Sequence, residues 1–314
     1  MTMKKSRIPS TAPSHSALLT AAMLAVASSC ASAATLGFNQ TGAGPWDYND
    51  TANWVGANIN GLWDSSLTLL ANQTVTVAAP TTLTTGLTFN HAGNFGLTLQ
   101  ASAAGTQSLT LGGDIVLNTS GGTSANVTIG NATNHLDLDL GGTTRTMSVA
   151  ASRTLTLVDV VSNGGITKTG AGTLTLAGVN TYSGATTVNR GTLTLNSNTG
   201  SISNTSLSLG SGGGTFNMDN TGATGALTQS TGSLAFAAGD GTVKETRSAA
   251  FDQLLTFSSL ATRTTGATGN FTLSSGTASA MRRATASASE SAGSPYNSNT
   301  PKLTYPPDSA RASA

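Results

Sequence analysis

Residues 164–196 read GGITKTGAGTLTLAGVNTYSGATTVNRGTLTLN, and the fold is decided here. The stretch holds three short runs, 174–176, 186–188 and 193–195, set apart by Gly170, Gly172, Gly178, Gly184 and Gly191. In each run Leu or Val alternates with Thr or Asn. A period of two is the mark of a strand with one buried face. No period of 3.6 residues competes, and each run is too short to stand alone.

Similar runs flank the stretch. On the N-terminal side they are 74–77, 87–89, 97–99, 109–111, 115–117, 127–129, 136–140, 147–149 and 155–161. On the C-terminal side they are 207–209, 215–218, 234–236 and 271–273. Most begin eight to twelve residues apart, with Gly, Asn, Ser or Thr between. Two or three runs make about 20 residues, a length typical of solenoid repeats. One such coil buries two or three aliphatic side chains, worth about 1.5–3 kcal/mol each. Ordering its backbone costs about 1–2 kcal/mol per residue. A lone coil therefore cannot persist, whereas a stack can, because neighbours cover both faces of every inward side chain. The pattern predicts an all-β chain in which residues 71–277 form a parallel β-helix. Thr173 and Thr175 point outward in ladders with their neighbours.

Composition agrees. Charged residues are 9% of the 314, against about 25% in ordinary globular proteins. Gly, Thr, Ser and Asn are weak helix formers but suit short strands and turns. Between Ala34 and Ala280 there are seven Lys or Arg and eleven Asp or Glu, a net charge of −4. Without a basic stripe, nucleic acid is not expected as a partner.

The two ends read differently. Lys4, Lys5 and Arg7 precede an apolar run at 17–27, and Ala31-Ser32-Ala33 offers a small-residue cleavage site. This is the three-part pattern of a signal peptide, residues 1–33, with the mature chain starting at Ala34. The apolar run is too short to span a bilayer, so no transmembrane segment is expected in the mature chain. Cys30 leaves with the peptide, and no thiol remains for disulfides or metal. Residues 34–70 carry Trp46, Trp54 and Trp63, with Phe38 and Tyr48. They read as an N-terminal cap on the open end of the stack. Their rings either close a small core or form a platform for sugars. Residues 278–314 hold four of the eight prolines, the Arg282-Arg283 pair and no alternating run. That composition predicts a disordered tail, and its abrupt onset is of the kind left by a shifted reading frame or early stop.

For chemistry, one local constellation stands out. His135, Asp137 and Asp139 alternate with Leu136, Leu138 and Leu140, so the polar three share one face of a strand. Paired carboxylates could bind Ca²⁺ or work as an acid–base pair. Alternation alone also puts polar residues on a solvated outer face. No nucleophile elbow, His-x-x-x-His pair, phosphate loop or calcium nonapeptide appears, so no catalytic residue, cofactor or metal is assigned.

Lys168-Thr169-Gly170-Ala171-Gly172-Thr173-Leu174, then Asn180-Thr181-Tyr182-Ser183-Gly184 and Val188-Asn189-Arg190-Gly191-Thr192-Leu193, resemble the autotransporter-associated β-strand repeat, also called the passenger-associated transport repeat. Trp46-Asp47 with Asn53-Trp54 resembles the start of secreted proteins of this kind. The resemblance implies a right-handed parallel β-helix, secreted from or held on the surface of a Gram-negative-type bacterium, after export by its signal peptide and the export machinery. It brings no catalytic residues. By the reading of the residues themselves, the repeat glycines are turn positions, and Asn180, Asn189 and Asn196 bond to backbone at corners.

Three functions are weighed. The first is a structural or adhesive surface solenoid, not an enzyme, that meets surface glycans or other cell-surface proteins. The second is a carbohydrate-binding module using Trp46, Trp54 and Trp63. The third is a polysaccharide-degrading β-helix using Asp137 and Asp139. The first is preferred, because an extended solenoid gives reach and contact area without any single site.

Overall fold

The computed structural model describes residues 73–89, 96–118, 126–196, 199–202, 205–247 and 251–274, with the backbone of Trp46–Asp47 and Leu62–Trp63. All of these belong to the unit spanning 36–314. Residues 1–33, read above as a signal peptide, with Cys30 among them, Trp54 and residues 278–314 lie outside the described residues.

Strands follow one another along the chain with no helix among the described residues. They are β1 (Trp46–Asp47), β2 (Leu62–Trp63), β3 (Gln73–Val77), β4 (Thr81–Thr82), β5 (Leu87–Phe89), β6 (Leu97–Ala101), β7 (Gly105–Thr110), β8 (Ile115–Leu117), β9 (Val127–Ile129) and β10 (Asn134–Val149). Then come β11 (Thr154–Leu157), β12 (Val161–Thr169), β13 (Thr173–Leu176), β14 (Thr186–Val188), β15 (Thr192–Leu195), β16 (Leu207–Leu209), β17 (Thr215–Asp219), β18 (Leu227–Phe236), β19 (Asp240–Thr246), β20 (Gln253–Leu260) and β21 (Thr268–Ser274). From β9 onward consecutive strands go alternately to two sheets. The first sheet runs β1, β3, β6, β9, β11, β13, β15, β17, β19, β21, and the second runs β2, β5, β8, β10, β12, β14, β16, β18, β20. Every pairing is parallel. This is a parallel β-solenoid, as the alternating runs predict.

Register explains the stack. Leu97, Val127, Leu155, Leu174, Leu193 and Phe216 lie one above another in the first sheet, each 0–1% exposed. Leu87, Ile115 and Met147 do the same in the second, ahead of Lys168, Val188 and Leu209. Each inward side chain is thus sandwiched along the axis, which a lone coil could not supply.

Outward, threonine stacks on threonine. One column of the first sheet holds Thr74, Thr98, Thr128, Thr156, Thr175 and Thr194. The adjacent column holds Thr154, Thr173, Thr192, Thr215 and Thr242. All are half-buried, so Thr173 and Thr175 do face outward in ladders.

Coil length varies more than the runs suggest. Leu155 pairs with Leu174, and Leu174 with Leu193, 19 residues on each time. Leu97 pairs with Val127, 30 residues on. The surplus is carried by corners and by a narrow third face, where β4 pairs with β7 and β7 with the first part of β10. β10 is one strand of 16 residues that turns a corner at Gly141 and Gly142, both at positive φ (69° and 74°). Its register slips between Asp139 and Thr143. Arg145 holds the corner: Nε donates to Leu140 O, while Nη1 and Nη2 donate to Gly112 O and Leu111 O of the preceding coil.

Candidate functional site

The stretch that decides the fold carries polar side chains on its inward positions. β12 buries Ile166 and Lys168 on the same inward phase. Lys168 is wholly buried and stands in register between Met147 and Val188. Its stem fills the aliphatic row, and Nζ donates to Thr169 O (2.6 Å), Gly170 O (2.8 Å) and Arg190 O (3.2 Å). An ammonium with three carbonyl acceptors is satisfied even there. Burial lowers its pKa to about 8. Gly191 then turns the chain at φ 70°, and a Cβ there would meet Gly172 O at 2.4 Å.

Tyr182 inserts from the following corner. It is fully buried, with Oη 2.8 Å from Oγ1 of buried Thr186, and desolvation raises its pKa. Asn180 closes the same corner as expected of it. Its Oδ1 accepts from Val161 N (2.8 Å) in the preceding coil, and its Nδ2 donates to Ser201 O (2.6 Å) in the next. The residue types of the stretch therefore stitch coil to coil.

The face of His135, Asp137 and Asp139 is as the alternation predicts, with Leu136, Leu138 and Leu140 buried behind it. A third carboxylate joins it. Asp159, 9% exposed, takes the same inward phase as Leu155, Leu157 and Val161, a signal legible in the alternation. Its Oδ1 lies 2.5 Å from His135 Nδ1, and its Oδ2 accepts from Leu136 N (2.8 Å) and Asn131 N (3.1 Å). Asp137 Oδ1 accepts from Val160 N at 3.2 Å, and burial raises its pKa. Asp139 Oδ1 accepts from Gly141 N (2.7 Å) and Asn163 Nδ2 (3.0 Å). Asp137 and Asp159 thus bind backbone N–H of a neighbouring coil, while Asp139 binds the N–H of its own corner and reaches the next coil through the Asn163 side chain. Among the described residues no group of three or more His, Cys, Asp or Glu is placed to hold a metal.

Of the aromatic patch, Trp54 lies outside the described residues, while Trp46 and Trp63 are placed by strand pairing alone. Trp46 is in register with Val75 and Trp63 with Phe89. Farther along, an open groove of about 270 Å³ is lined by Val179, Leu195, Met218, Leu227, Asn196 and Gln229, among others. It carries no charge on its lining, and the Gln229 amide is already bonded to both backbone groups of Ile202.

A family model described as the passenger-associated-transport-repeat matches residues 166–195. The match runs from the inward phase of β12 through the end of β15, taking in Lys168, Asn180, Tyr182 and Gly191. It points to an autotransporter-passenger-like protein, of an exported or cell-surface kind. No curated protein and no solved structure matches the chain.

Proposed function

We propose that this chain is an exported, adhesive structural solenoid of the autotransporter-passenger type, and not an enzyme. The observation that carries the reading is the transport-repeat match at 166–195, seated in a parallel stack whose rows continue on both sides of it. Reading the acidic face as stitching supports it further, since Asp137, Asp139 and Asp159 all serve backbone N–H groups. Such a stack offers a long, low-charge contact area rather than one pocket. Surface glycans and other surface proteins are the partners it suits. Export proceeds through residues 1–33, cut after Ala33.

The test is retention of the purified mature chain on glycan-coated and cell-coated surfaces, beside assays of soluble polysaccharide binding and cleavage. Retention without cleavage is expected. Binding of soluble glycans lost in Trp46→Ala, Trp54→Ala or Trp63→Ala would replace this reading with a carbohydrate-binding module. Polysaccharide cleavage abolished by Asp137→Asn would replace it with an enzyme.

A further inference from the structure

The two threonine columns form a lattice of hydroxyls on the outside of the first sheet. Three consecutive rungs carry both members: Thr154 with Thr156, Thr173 with Thr175, and Thr192 with Thr194. Among the described residues none of these six hydroxyls is bonded to protein. Elsewhere on the coils the hydroxyls of Thr81, Thr205 and Thr231 are each bonded to a carbonyl. No charged or aromatic side chain stands on the outward positions of β6, β9, β11, β13 or β15. The face therefore lacks the rings that stack on sugars and the charges that steer ionic partners.

What it has is spacing. Neighbouring strands put hydroxyls about 4.8 Å apart along the axis, and residues two apart put them about 6.6 Å apart across it. Tetrahedral water with oxygens about 2.75 Å apart forms a hexagonal lattice that repeats every ~4.5 Å within its layers and every ~7.3 Å perpendicular to them. The axial misfit is about 0.3 Å per rung, so across a six-threonine column it stays below half a lattice repeat. Each hydroxyl both gives and accepts a hydrogen bond, and each threonine methyl covers the gap between neighbouring waters. The buried Leu row directly behind holds the spacing fixed.

We propose that this threonine face of the first sheet binds ice. The proposal is independent of the adhesive reading, since it concerns one named face and a lattice of water. It is tested by following crystal coarsening in frozen solutions of the full chain. Thr175→Tyr and Thr156→Lys alter the lattice at outward positions. Thr187→Tyr, outward on the second sheet, is the control. Circular dichroism and thermal melts confirm that each variant is folded. Wild type and Thr187→Tyr are expected to keep crystals small and faceted, while folded Thr175→Tyr and Thr156→Lys lose the effect. The proposal is overturned if wild type lets crystals coarsen as fast as an unrelated protein at equal concentration. It is equally overturned if the folded face variants protect as well as wild type, or if the control loses the effect with them.

Discussion

Lys168 Nζ donates to the carbonyl of Arg190, one coil further along, at 3.2 Å. This lysine occupies a core row and ties together the corner that the 19-residue coils must turn. Lys168→Ala would remove the stem and orphan three carbonyls, a loss of about 2–5 kcal/mol. Lys168→Met keeps the volume and loses only the bonds, about 1–3 kcal/mol. The pH dependence carries a definite sign. Between about 8 and the ordinary 10.5, the unfolded chain holds a proton that the folded chain has shed, so stability rises with pH over this window. Denaturant midpoints measured across it should climb in wild type by more than in Lys168→Met.

Glu245 interrupts the other inward row, in register between Met218 and Leu273. Burial pushes its carboxyl up to about 7, against the opposing pull of Arg247. Between 4.5 and about 7 the folded chain keeps a proton that the unfolded chain has lost, so stability falls as pH rises through this range. Glu245→Leu should flatten that fall and raise the neutral-pH denaturant midpoint, because an aliphatic side chain then continues the row. Glu245→Gln should flatten it as well. An unchanged slope in both variants would remove Glu245 as its source.

Gly191 separates two causes of glycine dependence. Its φ of 70° costs a side-chain-bearing residue about 1–2 kcal/mol. The contact of a Cβ with Gly172 O at 2.4 Å adds backbone displacement to that cost. Gly191→Ala should therefore lower stability by about 2 kcal/mol or more. Gly266→Ala, at φ 82° with open space around it, should lose only the conformational part. Paired thermal melts of the two variants check the difference.

Inward and outward phases were legible wherever Leu or Val alternated with Thr, as at Leu155 and Leu157 or Leu174 and Leu176. Lys168 and Asp159 escaped because hydropathy marks them as outward, while phase places Lys168 with Ile166 and Asp159 with Leu157. Phase was the better guide, since a parallel stack repeats the inward position whatever residue occupies it, and the corner carbonyls or N–H groups then satisfy the polar end. Coil length was not legible. The 30-residue step from Leu97 to Val127 contains the runs 109–111 and 115–117, and alternation alone does not say that the first of them belongs to a third face, where β7 pairs with β4 and β10. The Gly141-Gly142 pair reads as a gap between two runs, yet left-handed φ at both lets one strand bend through it.

Asp159, on the inward phase, and Asp137, on the outward phase of β10, are near enough for their charges to repel, and their substitution separates scaffold from chemistry. Asp159→Ala leaves Leu136 N and Asn131 N without their acceptor and releases His135. The buried Leu136 donor so orphaned costs about 1–3 kcal/mol, and the part-buried Asn131 donor adds less, so the melt should fall clearly. Asp137→Asn keeps an oxygen for Val160 N and removes a carboxylate whose charge is disfavoured by burial and by Asp159. Its stability at neutral pH should equal or slightly exceed that of wild type. As pH falls toward the raised Asp137 value, wild type should close that gap, because protonation relieves the same cost. Melts of wild type, Asp159→Ala and Asp137→Asn between pH 4 and 7.5 measure all three expectations. A large loss in Asp137→Asn would mean that the ionised carboxylate, rather than its acceptor oxygen, holds these coils together.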